Sequence, residues 1–330
     1  MSDTHLLKES SELPLPAVFI LPVSTVSDRL DKILAALLPD HSRSRLQGWI
    51  EQGHVLVNEK PARVRQLVGA GDVIQVWEQQ LPESQAFVPQ NIPLNIVASS
   101  PDWIVVNKPA GLVTHPGAGN WEGTLLNGLL FHFPELAHVA RAGIVHRLDK
   151  DTSGLLVVAR HDKAQTHLVR QLQARTVHRE YRALVHGQIL SQGVVDAAIG
   201  RDPRVPVRMS TLSPVAPKPA VTHFCRLGLG ELDERRVSWI QCRLETGRTH
   251  QIRVHLASLG HPLVGDVIYG GKPLAGSQRQ MLHAAALEFT DPVSGDLCAF
   301  QAPLPEDMRH LLSLIEWAAG EHPAEISSDA

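Results

Sequence analysis

Residues 79–92 separate two stretches whose apolar residues recur with different periods, and that change restricts the chain to folds of two bodies. Before it, Leu30, Ile33, Leu34, Leu37 and Leu38 repeat at helical spacing. Pro39 ends that helix, because it lacks an N–H and clashes with the preceding turn. Ser42 is placed to cap a second helix with Leu46, Trp49 and Ile50 as its buried stripe, and Gly53 to close it. Short strand-like runs follow at 55–57 and 73–77, with a turn at Asn58-Glu59. Past residue 92 strands dominate, with helices interspersed near 124–130, 162–172 and 249–259. Gly228-Leu229-Gly230 reads as a hairpin turn. Residues 201–222 carry five prolines and read as an extended, rigid loop, made basic by Arg201, Arg204, Arg208 and Lys218. This mixture predicts an α+β chain. Its parts are an irregular arm at 1–22, a small module at 23–78, a linker at 79–92, a larger sheet domain at 93–316 and an acidic tail at 317–330.

Composition removes several classes of function. Hydrophobic residues make up 43% of 330, enough for a sizeable core, yet no apolar run reaches the ~18 residues of a membrane span. The first residues are polar and acidic, unlike a secretory signal. Three cysteines, Cys225, Cys242 and Cys298, stand far apart, which suits a reducing cytoplasm and excludes a disulfide framework or zinc knuckle. The eighteen histidines show no ligand spacing: His250 and His255 are five apart, and His115, His146 and His261 are scattered, so no metal site is expected. The net charge of −3 hides an asymmetry. Residues 301–330 set six acids against Arg309 alone and residues 1–12 set three against Lys8, leaving the body between them at +4. Nucleic-acid affinity follows that local arrangement more than the total. The acidic ends read as solvated tails.

His146-Arg147-Leu148-Asp149-Lys150-Asp151-Thr152-Ser153-Gly154 connects two apolar runs, 143–145 and 155–159, that both read as buried strands. The connection brings an Asp flanked by cations out of the body of the fold. Neighbouring positive charge favours the ionised carboxylate, and such a group at a strand end serves as nucleophile or base. On these nine residues alone, a polar turn with a surface ion pair is an equal reading.

The stretch resembles the signature of the pseudouridine synthases, in the branch acting on ribosomal and transfer RNA. Further segments match in order: Asn107-Lys108-Pro109-Ala110-Gly111 through Gly117, Arg179-Glu180-Tyr181-Arg182-Ala183, the run from Glu245-Thr246-Gly247-Arg248 to His255, and His261-Pro262-Leu263-Val264-Gly265-Asp266. The N-terminal module resembles the S4 RNA-binding domain, through Asp28-Arg29-Leu30-Asp31-Lys32, Ser42-Arg43-Ser44-Arg45 and Val55-Leu56-Val57-Asn58.

The resemblance implies a small S4-like domain followed by a mixed, largely antiparallel sheet with flanking helices and an RNA cleft. It implies Asp149 as the catalytic carboxylate, Arg248 as its paired arginine, and Tyr181 as the ring that stacks on a flipped uracil. Arg147 would enter the RNA stack, and Arg29, Arg43, Arg45 and Lys60 would contact RNA from the first domain. The segment with Lys108 and His115 reads as scaffold. No cofactor is expected, since isomerising uridine loses no atom and changes no redox state, and no phosphate-binding glycine loop occurs. The implied partner is large-subunit ribosomal RNA or a pre-ribosomal particle, bound by a cytoplasmic monomer without a membrane. A transfer-RNA-directed enzyme of the same branch, a non-catalytic RNA-binding assembly factor and a hydrolase using Asp149 are the alternatives.

Overall fold

The structure, a computed structural model, describes residues 15–78, 86–117 and 119–323. The chain divides into two compact units, Met1–Leu81 and Pro82–Ala330.

In the first unit, β1 (Ala17–Ile20), β2 (Asp28–Arg29), α1 (Leu30–Leu37), α2 (Arg43–Glu51), β3 (Val55–Val57), β4 (Lys60–Pro61), β5 (Leu67–Val68) and β6 (Val73–Val76) follow in order. Four strands form a sheet in the order β1-β6-β3-β4. Leu30, Leu34, Leu46, Trp49 and Ile50 from the helices close over Val55, Val57, Ile74 and Val76 from the sheet. Asn58 and Glu59 both take positive φ at the β3–β4 turn, as a tight hairpin requires. The expected irregular arm is corrected here: Ala17–Ile20 pair in register with Val73–Val76, since alternate side chains have this core to face. Residues 1–14 of that arm lie outside the described residues.

The second unit is built on a ten-stranded sheet. Its elements are β7 (Ile96–Ser99), β8 (Trp103–Lys108), α3 (Leu125–His132), β9 (Ser153–Ala159), α4 (Asp162–Gln173), β10 (His178–His186), β11 (Gln192–Asp196), β12 (Ile199–Arg201), β13 (Met209–Ser210), β14 (Val215–Lys218), β15 (Val221–Leu232), β16 (Arg235–Leu244), α5 (Gln251–Ser258), β17 (Leu282–Thr290), β18 (Leu297–Gln301), α6 (Glu306–Ser313) and β19 (Glu316–Trp317). The order is β11-β15-β16-β10-β17-β9-β8-β7, with β18 added to β17 and β19 to β15. Only β9 and β17 run parallel; the other pairs are antiparallel. Helices cover both faces. Leu125, Leu129, Ile252 and Leu256 of α3 and α5 pack on Val106, Val158 and Ala183. Leu168 of α4 meets Val105 and Val157 on the other side, and α6 packs Leu311 against Trp239. This double cover explains why β9 is buried throughout and apolar without a break from Leu155 to Ala159.

Several expectations change. Residues 143–145 are no strand: Ala140–Gly143 is a 3-10 turn, and Ile144 makes one bridge to Val158. Gly228 and Gly230 lie within β15, and the hairpin turn falls at Asp233–Glu234. A Cβ at Gly230 would stand 2.4 Å from Ile315 Cγ2 and one at Gly228 2.7 Å from the Glu321 carbonyl, so these glycines admit the C-terminal segment onto the strand. That segment is not a free tail up to residue 323. Ala318 donates to the Leu229 carbonyl at 2.9 Å, and Glu321 pairs with Arg226 at 3.2 Å. Residues 324–330 lie outside the described residues, as do 79–85 of the linker. Its remainder lies along α3, where the Asn127 side chain donates to the carbonyls of Ala86 and Val88. The proline-rich segment carries a three-stranded sheet, β13-β12-β14, instead of a loop, because prolines at its edges and turns leave the pairing positions free.

Candidate active site

The loop bearing Asp149 enters β9, and four successive carbonyls of it are held, three by other segments and one by the loop itself. Thr114 Oγ1 donates to Leu148 O at 2.7 Å. The Thr152 N–H closes a turn onto Asp149 O at 3.1 Å. Lys108 Nζ reaches Lys150 O at 3.0 Å while also donating to Pro109 O and Leu112 O. Arg279 Nη1 donates to Asp151 O at 3.0 Å. Lys108 is fully buried, and burial pulls its pKa down to about 7 against the opposing pull of Asp149 and Asp151. Gly154 ends the motif at φ 115°, and a Cβ there would stand 2.2 Å from Ala284 O. Glycine is therefore what lets β9 approach β17 in parallel.

The Asp149 carboxylate is oriented by Arg253. Asp149 Oδ2 accepts from Arg253 Nη1 at 3.0 Å. The rest of the guanidinium is a fork onto buried Asp266: Nε and Nη2 donate to its two oxygens at 2.7 and 2.9 Å. Arg253 also stands 5.1 Å from the centroid of the Tyr269 ring. Burial works against its charge, but Asp266 and Asp149 outweigh burial and raise its proton affinity above the ordinary value. His250 lies 3.9 Å from Asp149 Oδ2 and bonds Tyr269 Oη at 2.8 Å. Burial depresses His250, with Asp149 opposing.

The pairing expected of Arg248 is therefore made by Arg253. Arg248 is exposed in the turn before α5, and its Nε donates to Pro219 O at 3.0 Å. Its own N–H is tied to the Gln251 side chain. The two arginines stand five residues apart in one motif, and only the second enters the helix. A signal was present: Arg253 lies among Ile252, Val254 and Leu256, in a stretch buried from Gln251 to Leu256, where an arginine must be paired. Asp266 and Tyr269 also escaped assignment from sequence.

Asp149 opens on a cavity of about 890 Å³ that Arg147, Arg179, Tyr181, Arg248 and Arg253 also line. Arg147 is exposed and Leu148 is turned into the core, so Arg147 and Asp149 share the cavity. Tyr181 is 6% exposed, on the inward face of β10. Burial raises its pKa, with Arg179 pulling down and Asp149 adding to the rise, so the phenol stays protonated at neutral pH. His115 and His146 also face the cavity. Burial takes them down to about 4 and about 3, helped by Arg147 at His115 and by Arg179 at His146. Neutral His146 accepts the Val157 N–H at Nε2.

In the first unit, fully buried Asp31 gathers Arg29, Arg43 and Gln47. Arg43 donates from Nε and Nη2 at 3.0 and 2.7 Å, Arg29 from Nε and Nη2 at 3.0 and 2.9 Å, and Gln47 at 2.7 Å. Burial alone would raise Asp31; the bonds from Gln47, Arg43 and Arg29 reverse that and hold it well below the usual carboxylate range. Two of the expected RNA-binding arginines thus share one internal counter-ion while keeping exposed edges. Ser42 caps α2, Arg45 lies 5.1 Å from the Trp49 ring centroid, and Lys60 is exposed on β4.

A lysine-clamped Asp loop, an arginine bridging it to a second aspartate, and a tyrosine on β10 make up this site, and two family patterns match the chain. That of the RNA pseudouridylate synthases matches residues 102–258, and that of the S4 domain matches residues 28–74. The chain belongs to the RNA pseudouridylate synthase family. Among its relatives, ribosomal large subunit pseudouridine synthase D of Neisseria meningitidis serogroup B is 48% identical over 334 residues, spanning 97% of this chain and 87% of that protein. The protein of the same name from Nitrosomonas europaea is 50% identical over 304 residues, 89% of this chain and 86% of its own. The solved structure of human RNA Pseudouridylate Synthase Domain Containing 1 superimposes with a TM-score of 0.55 at 30% identity, covering 73% of this chain and 92% of that one. Among the described residues, no helix is long and apolar enough to cross a membrane.

Proposed function

We propose that this chain converts uridine to pseudouridine in large-subunit ribosomal RNA, with Asp149 acting on the ribose of a nucleotide flipped into the cavity. The observation that carries the reading is the state of the Asp149 carboxylate. One oxygen is fixed by Arg253, and among the described residues no donor is bonded to the other, which is left for the ribose. The relatives of 48–50% identity named for the large ribosomal subunit support the choice of RNA.

The chemistry needs only this chain's side chains. Asp149 attacks C1′ or removes the C2′ proton; by either route the C1′–N1 bond breaks and its electron pair leaves with the uracil. The uracilate turns, C5 bonds to C1′, and Asp149 is released or the C2′ proton returned. The C5 proton is then lost and N1 takes one up, so no atom is gained overall. Tyr181 stacks on the base and its hydroxyl assists the C5 proton. Arg147 fills the stack left by the flipped nucleotide, offsetting part of a cost of a few kcal/mol. The first unit adds phosphate contacts that position the RNA without touching the chemistry. On this reading the protein works in the cytoplasm as a monomer, without cofactor. Pseudouridine mapping across the RNA of cells lacking the protein, and of the same cells with it restored, tests the proposal. Sites that vanish and return in large-subunit ribosomal RNA are expected. Changes confined to transfer RNA, or none, would overturn it.

A further inference from the structure

Arg179 is a charged side chain to which no anion is paired among the described residues. It is 6% exposed, it lines the cavity that holds Asp149, and its Nε is buried without a hydrogen-bond partner. Among the described residues, no acceptor is bonded to its guanidinium. The other buried arginines behave differently: Arg253 is forked onto Asp266, and Arg279 onto Asp307. Burying a cation unpaired is costly, so a fold that retains one holds it for something that arrives.

The location says what arrives. Arg179 precedes Tyr181 by two on β10, and the burial of the strand alternates, so both point inward on one face. On its other side the guanidinium lies against the backbone of Gly247, where a Cβ would come within 2.7 Å of Nη1. The turn carrying Gly247 leads into α5 and Arg253, so the cation is enclosed between the Tyr181 strand and the segment that orients Asp149. Burial lowers the proton affinity of Arg179, as expected of a guanidinium with no anion beside it. A backbone phosphate stays near solvent, whereas a flipped base goes deep, beside the tyrosine.

We propose that Arg179 donates hydrogen bonds to a carbonyl oxygen of the flipped uracil and stabilises the uracilate set free when the C1′–N1 bond breaks. The proposal rests on the pseudouridine-forming reading above. The group does for the departing base what a fixed donor does for an oxyanion: its charge is in place before the anion forms. The first member of Arg-Glu-Tyr thus acquires a role in bond breaking.

The test compares Arg179→Met and Arg179→Gln with the natural chain in full length, using a protein-free transcript of large-subunit ribosomal RNA. Single-turnover pseudouridine formation at saturating protein, RNA affinity at several salt concentrations and thermal unfolding are measured. Arg179→Met is expected to lower the saturated rate by roughly 100-fold or more, the scale of losing one preorganised donor. Affinity should stay within about threefold. The melting temperature should hold or rise, because an uncompensated buried charge is removed; a residue that merely supports the fold would lower it. A retained rate with weaker binding and a salt slope smaller by about one phosphate would assign Arg179 to the backbone and overturn the proposal. Retained rate with retained affinity would overturn it as well. If the Met variant does not fold, Arg179→Gln, which removes the charge, decides. A rate loss with normal affinity and melting supports the role, and a full rate refutes it. Inactivity of the natural chain on this RNA would instead bring down the functional reading on which the proposal stands.

Discussion

Replacing Arg253 by Met separates what holds the fold from what orients Asp149. The change removes three charge-assisted hydrogen bonds, two to Asp266 and one to Asp149. Asp266 is 1% exposed, so its carboxylate is left buried without a partner, at a cost of about 3–5 kcal/mol. For a unit of this size each kcal/mol moves the melting temperature by roughly 2–4 °C, so a fall of about 10 °C is expected. Turnover should be lost well below that temperature, because Asp149 has no fixed donor. Arg253→Met combined with Asp266→Leu removes both buried charges and should recover most of the stability, yet none of the rate. Arg248→Met should weaken RNA binding and leave the saturated rate near normal, its side chain being exposed and bonded to Pro219. Urea unfolding and single-turnover pseudouridine formation read both quantities. If rate returns with stability in the double variant, Arg253 is scaffold alone. If Arg248→Met abolishes the saturated rate while Arg253→Met leaves it intact, the assignment of the orienting arginine is wrong.

Asp149→Asn should abolish isomerisation with RNA affinity within a few-fold, since the shape changes little; near-normal turnover in a purified assay would remove Asp149 from the chemistry. His115, His146 and His283 are lowered by burial to about 4, 3 and 4, so between those values and about 6.5 the unfolded chain holds protons that the fold refuses. Their contribution is therefore fully present above pH ~6.5 and is lost on acidification; urea midpoints that do not move between pH 7 and 5 would contradict this. Arg43→Ala should destabilise the first unit by exposing Asp31 to burial without one partner, whereas Arg45→Ala should chiefly weaken RNA binding and flatten its salt dependence. Equal melting of these two variants would refute that distinction.

Periodicity located α1 and α2, because each buries a stripe that repeats along the chain, whereas α3 and α5 are buried over six consecutive residues. The β12–β14 sheet was hidden, since two- to four-residue strands leave no alternation to count and prolines argued against pairing. Gly228 and Gly230 looked like turn residues because their function, admitting another segment at close range, is written in that segment and not beside them. The same limit governs the site. Asp149 and Tyr181 were legible from their motifs and fall on one cavity. The choice between Arg248 and Arg253 depended on where α5 begins, which is decided by Gln251 bonding back to Arg248 and Thr246. Arg179 could not be singled out at all, for its distinction is the lack of a bonded partner among the described residues.

The single parallel pairing has a consequence for how the protein is made. Ser153 meets His283 across 130 positions of sequence, and Asp149 meets Arg253 across 104. A chain emerging from the ribosome therefore carries Asp149 long before the strand that seats its loop and the arginine that orients it exist. Until β17 has been translated, the β9 edge has no parallel neighbour, and slow non-local closure of this kind leaves sheet edges exposed. Chains truncated before β17 or α5 are expected to leave Asp149 without the strand and the arginine that position it.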